Sequence, residues 1–184
     1  QKWHNVLAIA NRKKDEFALD PNVYWNSTWR EDEITGVSTA TSYDLAGDVV
    51  KLAVGETDFI RIVSPTGEEW KFKPAGAVSL KGLNPRKLVF INKIPDQFIG
   101  GSIFVPLHFK PADLANANDI IPVDDANWLV ESTASELARN DPAKDDQFSN
   151  LVGMANDKYA DMVAANDTAG SGSSETIRYN VPGI

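Results

Sequence analysis

Residues able to perform acid–base, nucleophilic or metal chemistry are few in this sequence and poorly grouped. There is no cysteine, and the only two histidines, His4 and His108, lie far apart in the chain. Without cysteine, disulfides, thiolate zinc sites and cysteine nucleophiles are excluded. Neither histidine accompanies a nucleophile elbow of the G-x-S-x-G type, and His108 lies in a β-prone run that predicts a strand position near the sheet surface. The histidines therefore do not indicate a catalytic centre.

Two carboxylate pairs, Asp124–Asp125 and Asp145–Asp146, stand just before expected helices. Carboxylates at a helix N-terminus are stabilised by the helix dipole, so both pairs predict helix starts rather than acid–base or metal sites. The sequence also lacks a phosphate-binding glycine loop and a calcium loop. We therefore expect a non-catalytic protein with no cofactor and no metal site.

The charge of the chain is concentrated in its last 74 residues. Of 184 residues, 18 are basic and 26 acidic, giving a net charge of −8. Residues 111–184 hold 13 acidic and 4 basic residues, whereas residues 1–110 hold 13 acidic and 14 basic residues. The longest basic run is Arg12-Lys13-Lys14, too short to favour nucleic-acid binding. The acidic part predicts either a solvated helical surface or a wall along which DNA passes without sticking.

Hydropathy patterning predicts an α+β fold in which helices flank a central antiparallel β module. An N-terminal helix is expected within residues 1–22. Short β-rich runs separated by Gly and Pro occupy residues 30–112 and predict about four to six strands. No stretch approaches the roughly 18 apolar residues of a membrane helix, so a soluble protein without a membrane partner is expected.

Two strand pairs are expected within the β module. Phe59–Val63 and Trp70–Lys73 flank the turn Ser64–Gly67 and predict a hairpin. Lys87–Ile91 and Ser102–Phe109 are expected to form a second pair, joined by a longer loop.

An antiparallel helix pair is expected over residues 124–166, with one helix from about 125 to 139 and a second from 142 to about 165. Helical spacing places six apolar residues in the helical core or at a subunit interface: Trp128, Leu129, Phe148, Leu151, Tyr159 and Met162. Together with the preceding elements, this pair completes a single predicted domain over residues 1–166.

The sequence of the last residues predicts a linker followed by a β-prone arm. Gly and Ser dominate residues 167–174, as in flexible linkers, and residues 175–184 alternate as a strand does. Such a segment can add a strand to a partner, although a disordered end is the alternative. The expected partner-binding residues are Thr176, Ile177, Arg178, Tyr179, Asn180, Val181 and Ile184.

The order of these elements and three sequence stretches resemble the head-to-tail adaptor (connector) proteins of tailed bacteriophages, including the podovirus tail-tubular A type. The stretches are Ser42-Tyr43-Asp44-Leu45-Ala46-Gly47-Asp48, then Ile121-Pro122-Val123-Asp124-Asp125-Ala126-Asn127-Trp128-Leu129-Val130, and Leu151-Val152-Gly153-Met154-Ala155-Asn156-Asp157. The resemblance spans nearly the whole chain as a pattern rather than an exact motif. The chain departs from the family in having Ala46-Gly47 where proline is frequent.

The resemblance implies a structural protein of the virion neck, assembled in the host cytoplasm. It implies a ring of copies, usually twelve, that binds the portal protein on one side and a downstream tail or neck protein on the other. DNA would pass through the ring channel without specific binding. The alternative is a non-catalytic glycan-binding β module of a phage tail or secreted protein, in which Tyr24, Trp25, Trp29 or Trp70 would form an aromatic platform. A different interpretation of Trp25 and its neighbours is that they anchor the core.

Overall fold

The computed structural model describes residues 2–83, 85–116, 119, 123–139, 141 and 144–171, and these residues confirm an α+β fold. The chain divides into two compact units. One, the β unit, is Thr28–Lys110, and the other, the helical unit, combines Gln1–Ser27 with Pro111–Ile184. The sequence analysis grouped residues 1–166 into one domain. Sequence order hides this division, because the β unit is inserted between the first helix and the last two.

The β unit contains more strands than the four to six predicted. Among the described residues there are eight: β1 (Trp29–Thr35), β2 (Ser42–Leu45), β3 (Val49–Leu52), β4 (Ile60–Val63), β5 (Glu69–Phe72), β6 (Val78–Lys81), β7 (Arg86–Phe90) and β8 (Ser102–Phe109). They form a five-stranded sheet in the order β1-β8-β4-β5, with β3 also paired to β8, and a three-stranded sheet in the order β2-β7-β6. All of these pairings are antiparallel.

The two predicted strand pairs have opposite outcomes. The hairpin of Phe59–Val63 with Trp70–Lys73 is confirmed as β4 and β5, with Ile62 opposite Trp70. The pairing of Lys87–Ile91 with Ser102–Phe109 is wrong, because β7 lies in the three-stranded sheet and β8 in the five-stranded one. Both strands present buried apolar side chains to the shared core. Alternation identifies that inward face but carries no information about the hydrogen-bonded neighbour.

The core of the β unit lies between the two sheets. The central strand β8 contributes Ile103, Val105 and Leu107, all with 0% exposure, and Leu88 of β7 is equally buried. Sheets that pack face to face in this way bury one side of every strand and leave the other side available to solvent or to partners.

Strand β1 falls at the start of the predicted β module, residues 30–112, but the sequence analysis assigned no particular strand to these residues. Its sequence, WREDEIT, carries four charged residues and lacks apolar alternation. The strand nevertheless pairs with β8 along its whole length. Ion pairs balance these charges: Arg30 binds both Asp32 and Asp48, and Arg61 of β4 binds Glu31.

A close backbone approach explains the glycine pair that precedes β8. A Cβ atom on Gly101 would lie 2.0 Å from the carbonyl oxygen of Val63 in β4. The Gly101 carbonyl also accepts backbone hydrogen bonds from Gly36 and Val37, at 2.9 and 3.0 Å. Only glycine fits between these strands, because any side chain there would collide with backbone.

The helical unit contains α1 (Lys2–Leu19), α2 (Ala126–Arg139) and α3 (Asp145–Ser171). Helix α1 lies within the predicted residues 1–22, and α2 confirms the predicted helix of 125–139 to within one residue. Asp125 accepts a hydrogen bond from the backbone N–H of Asn127, as a helix-capping side chain does. Trp128 near the start of α2 packs against Tyr159 near the middle of α3, and Arg139 at the end of α2 lines one cleft with Phe148 near the start of α3, so the two helices run antiparallel as predicted.

Helix α3 is displaced from its predicted bounds of 142–165. It begins at Asp145, whereas residues 142 and 143 lie outside the described residues, and it extends to Ser171. Residues 167–171 are therefore helical, although the sequence analysis assigned them to the linker 167–174. Composition was a poor guide here, because Asp167, Thr168 and Ala169 can continue backbone hydrogen bonds that the preceding turns have already established.

The ion pair between Arg30 and Asp48 predicts a pH-dependent contribution to stability. Two Arg30 nitrogens donate to the Asp48 carboxylate at 2.6 and 2.8 Å and hold the pKa of that carboxyl below its ordinary range. A carboxylate with a lowered folded-state pKa stabilises the fold above its ordinary pKa of about 3.9 and loses this effect as the pH falls through the folded-state value.

We expect Asp48→Asn to lower the free energy of unfolding at pH 7 by about 1 kcal/mol or less, because the pair is partly exposed to solvent. The difference from the wild type should shrink as the pH is lowered through the acid range. Urea denaturation at several pH values measures both effects. The matched control is Asp44→Asn, whose partner Lys87 lies 3.1 Å away in a more exposed pair. If both variants lost the same free energy of unfolding at every pH, the prediction would be contradicted.

Candidate interaction surfaces

An aromatic cluster joins the three helices of the helical unit. Trp25 is fully buried and stacks on Phe17 of α1, with ring centroids 4.2 Å apart and an interplanar angle of 18°. Its indole N–H donates to the carbonyl oxygen of Phe17 at 2.8 Å. Trp128 of α2 and Tyr159 of α3 complete the cluster. The interpretation of Trp25 as a core anchor is therefore confirmed.

Tyr159 also ties α3 to the end of α1. Its hydroxyl donates to a carboxylate oxygen of Asp20. Burial, followed by the hydrogen bond and the negative charge of Asp20, raises the pKa of this phenol above its ordinary value. Tyr159 therefore remains protonated and keeps this hydrogen bond across the physiological pH range.

A buried lysine holds the chain segment that returns from the β unit. The Lys14 side chain has 0% exposure, and its Nζ donates to the carbonyl oxygens of Pro111 and Ala112 at 2.7 and 3.0 Å. It also forms ion pairs with Asp15 and Asp113. The sequence analysis noted Lys14 only as part of the basic run Arg12-Lys13-Lys14, and no local signal distinguished it from Lys13.

One turn earlier on α1, a second polar side chain binds the same returning segment. The Asn11 side-chain amide donates to the Leu114 carbonyl at 3.0 Å, and its oxygen accepts the Leu114 backbone N–H at 2.7 Å. Asn11 and Lys14 lie three residues apart and therefore on one face of α1. That face fixes residues 111–114 mainly through their backbone groups, and the Asp113 carboxylate adds an ion pair with Lys14.

A cleft of about 320 Å³ opens between the three helices. Its apolar lining includes Trp128, Phe148 and Val152. Four charged residues also line it, two acidic and two basic: Lys13, Glu16, Glu136 and Arg139. Such a lining suits an apolar side chain flanked by polar groups rather than a highly charged ligand.

The six predicted core or interface residues all lie in the helix pair as expected, but they differ in burial. Trp128, Leu129 and Met162 are buried. Phe148, Leu151 and Tyr159 are half-buried. The predicted arm residues Thr176, Ile177, Arg178, Tyr179, Asn180, Val181 and Ile184 lie outside the described residues.

The four aromatic residues considered for glycan binding have different environments. Trp25 is in the helical core, and Trp70 is half-buried against Phe72 and Phe98 in the β unit. Tyr24 and Trp29 are 41% and 43% exposed and belong to different units. The four residues therefore do not act together as one exposed platform.

His108 is not near the sheet surface, as the sequence analysis expected, but is 3% exposed. Its Nδ1 lies 2.9 Å from the hydroxyl oxygen of Thr28, so the ring is held by a buried hydrogen bond. The described residues contain no group of three or more His, Cys, Asp or Glu side chains arranged to hold a metal ion. None of their helices is long and apolar enough to cross a membrane.

The buried position of Lys14 predicts a large effect for its replacement. Lys14→Met removes one charge and leaves the Pro111 and Ala112 carbonyls without their donor, so we expect unfolding to be easier by about 2–4 kcal/mol. The neighbouring Lys13→Met is the control, because Lys13 pairs only with Glu16 on its own helix among the contacts described. Urea denaturation followed by tryptophan fluorescence compares the two; equal losses would show that Lys14 does not fix the returning segment.

The sequence was compared with models of known protein families and with curated proteins. No family model matches this chain, and no curated protein matches it either.

Proposed function

We propose that this protein is a head-to-tail adaptor of a tailed bacteriophage, forming a ring beneath the portal that continues the DNA channel towards the tail. The order of elements supports this proposal: an N-terminal helix, an inserted antiparallel β unit and a closing antiparallel helix pair. The same order carries the resemblance found in the sequence.

The distribution of charge between the two units supports a channel-forming role. The β unit, Thr28–Lys110, holds ten basic and ten acidic residues and is neutral, whereas the remaining residues hold eight basic and 16 acidic ones. The entire net charge of −8 therefore belongs to the helical unit. A chain with this separation can face a polyanion with one unit and protein partners with the other.

The observation that carries the proposal is an acidic stripe on α3 whose carboxylates form no ion pair within the described part of the chain. Asp146, Asp157 and Asp161 lie on one exposed side of this 27-residue helix, at spacings close to whole turns. Lys158, the single basic residue of α3, instead turns towards Asp125 and Glu131 at the other helix of the pair. The acidic stripe thus spans about 23 Å of a helix about 40 Å long.

An acidic stripe of this length suits the wall of a DNA conduit. Lys and Arg side chains bind DNA by displacing its counterions, so a wall rich in them would retain the passing duplex. Carboxylates repel phosphates and keep the duplex centred and mobile. In the proposed ring, each subunit would contribute one such helix to the channel.

The first test is the mass of the full chain in solution, measured by light scattering. We expect the chain to join portal rings of its own virus as a closed ring with a discrete number of copies. An unrelated acidic protein of similar size is the control and should not join. A chain that stays separate from the portal at all concentrations would contradict the adaptor function.

The second test reverses charge on the proposed channel wall. Asp157→Lys with Asp161→Lys should make portal-bound rings retain duplex DNA in low salt and release it as salt is raised, since the added lysines displace counterions. The control is Glu33→Lys with Glu68→Lys, which changes the net charge equally at exposed positions of the β unit. Equal retention of duplex DNA by both variants would contradict the proposal that α3 lines the channel.

A further inference from the structure

Strand β5 forms an open edge of the five-stranded sheet. Among the described residues it pairs only with β4. Ser64 and Glu68 close the hairpin with a backbone hydrogen bond of 2.8 Å. Because hydrogen-bonded and non-hydrogen-bonded pairs alternate along antiparallel strands, the backbone groups of Glu69 and Lys71 point away from β4. They can accept a further strand.

The lysine side chains that could protect this edge are held elsewhere. Charged side chains, lysine above all, usually shield open edges against added strands. Here the Lys71 and Lys73 ammonium groups lie over the ring of Phe59, 4.4 and 4.1 Å from its centre. Lys73 also donates to the carbonyl oxygens of Gly55 and Glu56. The edge is therefore left accessible.

An apolar pocket of about 130 Å³ opens next to this edge, between the two sheets. Its walls are Trp70 and Phe72 of β5, Phe90 of β7 and the small residue Ala77, and Asn92 supplies one polar side chain. Such a pocket suits a single side chain with an aromatic body and a polar tip. A strand added beside β5 would point alternate side chains into it.

The chain carries one segment that matches both features. Thirteen residues, 172–184, follow the end of α3 at Ser171. In a strand formed by Thr176–Val181, Ile177, Tyr179 and Val181 would share one side. Tyr179, in the middle, combines an aromatic ring with a hydroxyl that the Asn92 amide can bind.

We propose that Thr176–Val181 of a second copy of this chain binds as an added strand beside β5 and places Tyr179 in the pocket of Trp70, Phe72, Ala77, Phe90 and Asn92. The choice of a second copy rests on the proposed function. A ring is built from head-to-tail contacts in which one surface of each subunit binds a different surface of the next. An arm on one copy and an edge on the next form such a contact.

Photo-cross-linking tests this proposal directly. Full-length chain with Tyr179→p-benzoylphenylalanine is mixed with heavy-nitrogen-labelled wild-type chain and illuminated, once alone and once with portal rings. We expect cross-links from the light arm to heavy peptides that contain Ala77 or Phe90. Ala77→Leu in the heavy chain fills the pocket and should abolish them. Ala75→Leu, at an exposed position two residues away, is the matched control and should not.

The remaining outcomes separate this proposal from the proposed function. Rings that form on the portal without these cross-links would overturn the arm contact and leave the adaptor function standing. Cross-links in a chain that does not bind the portal would support the arm contact and contradict the adaptor function. Cross-links only within one isotopic form, or cross-links insensitive to Ala77→Leu, would also overturn the proposal.

Discussion

The helical unit depends on how α1 holds a chain segment that is almost a hundred residues away in sequence. The chain leaves this unit after Ser27 and returns at Pro111. Lys14 and Asn11 bind the returning backbone at 111–114, the segment that leads towards α2 and α3. Burying a lysine is unfavourable unless its donors are satisfied. Three acceptors from one short segment meet that requirement and specify the position of the segment.

The β unit meets a different constraint, because both of its sheets must cover the same core. Strand β8 pairs with three strands and supplies the most buried side chains, so the larger sheet is organised around it. The charged strand β1 belongs to this sheet through its backbone hydrogen bonds and ion pairs rather than through apolar burial. Among the described residues β5 pairs only with β4, so it lies at an edge of the larger sheet. An apolar pocket lies beside this edge.

Function and fold are connected here through the separation of charge. The β unit is neutral and the helical unit carries the whole net charge of −8, and the proposed DNA channel wall rests on this separation. Lys158 points towards α2, and among the described side chains no other basic residue pairs with Asp146, Asp157 or Asp161 on the exposed side of α3. The proposed channel wall and the proposed arm contact therefore use different parts of the subunit.

Local sequence patterns determined the α+β class, the three helices and the β4–β5 hairpin, because helical spacing, alternation and turn residues act over a few positions. They left Trp25 open between an exposed platform and a core anchor, and its burial against Phe17 decided for the anchor. Tertiary structure alone decided which strands pair, the inclusion of β1, the burial of His108 and the role of Lys14. It also decided the division into two units and the extension of α3 to Ser171. These features depend on partners far away in sequence. Lys13 and Lys14 are identical side chains, and only the carbonyls of Pro111 and Ala112 make one of them a buried anchor.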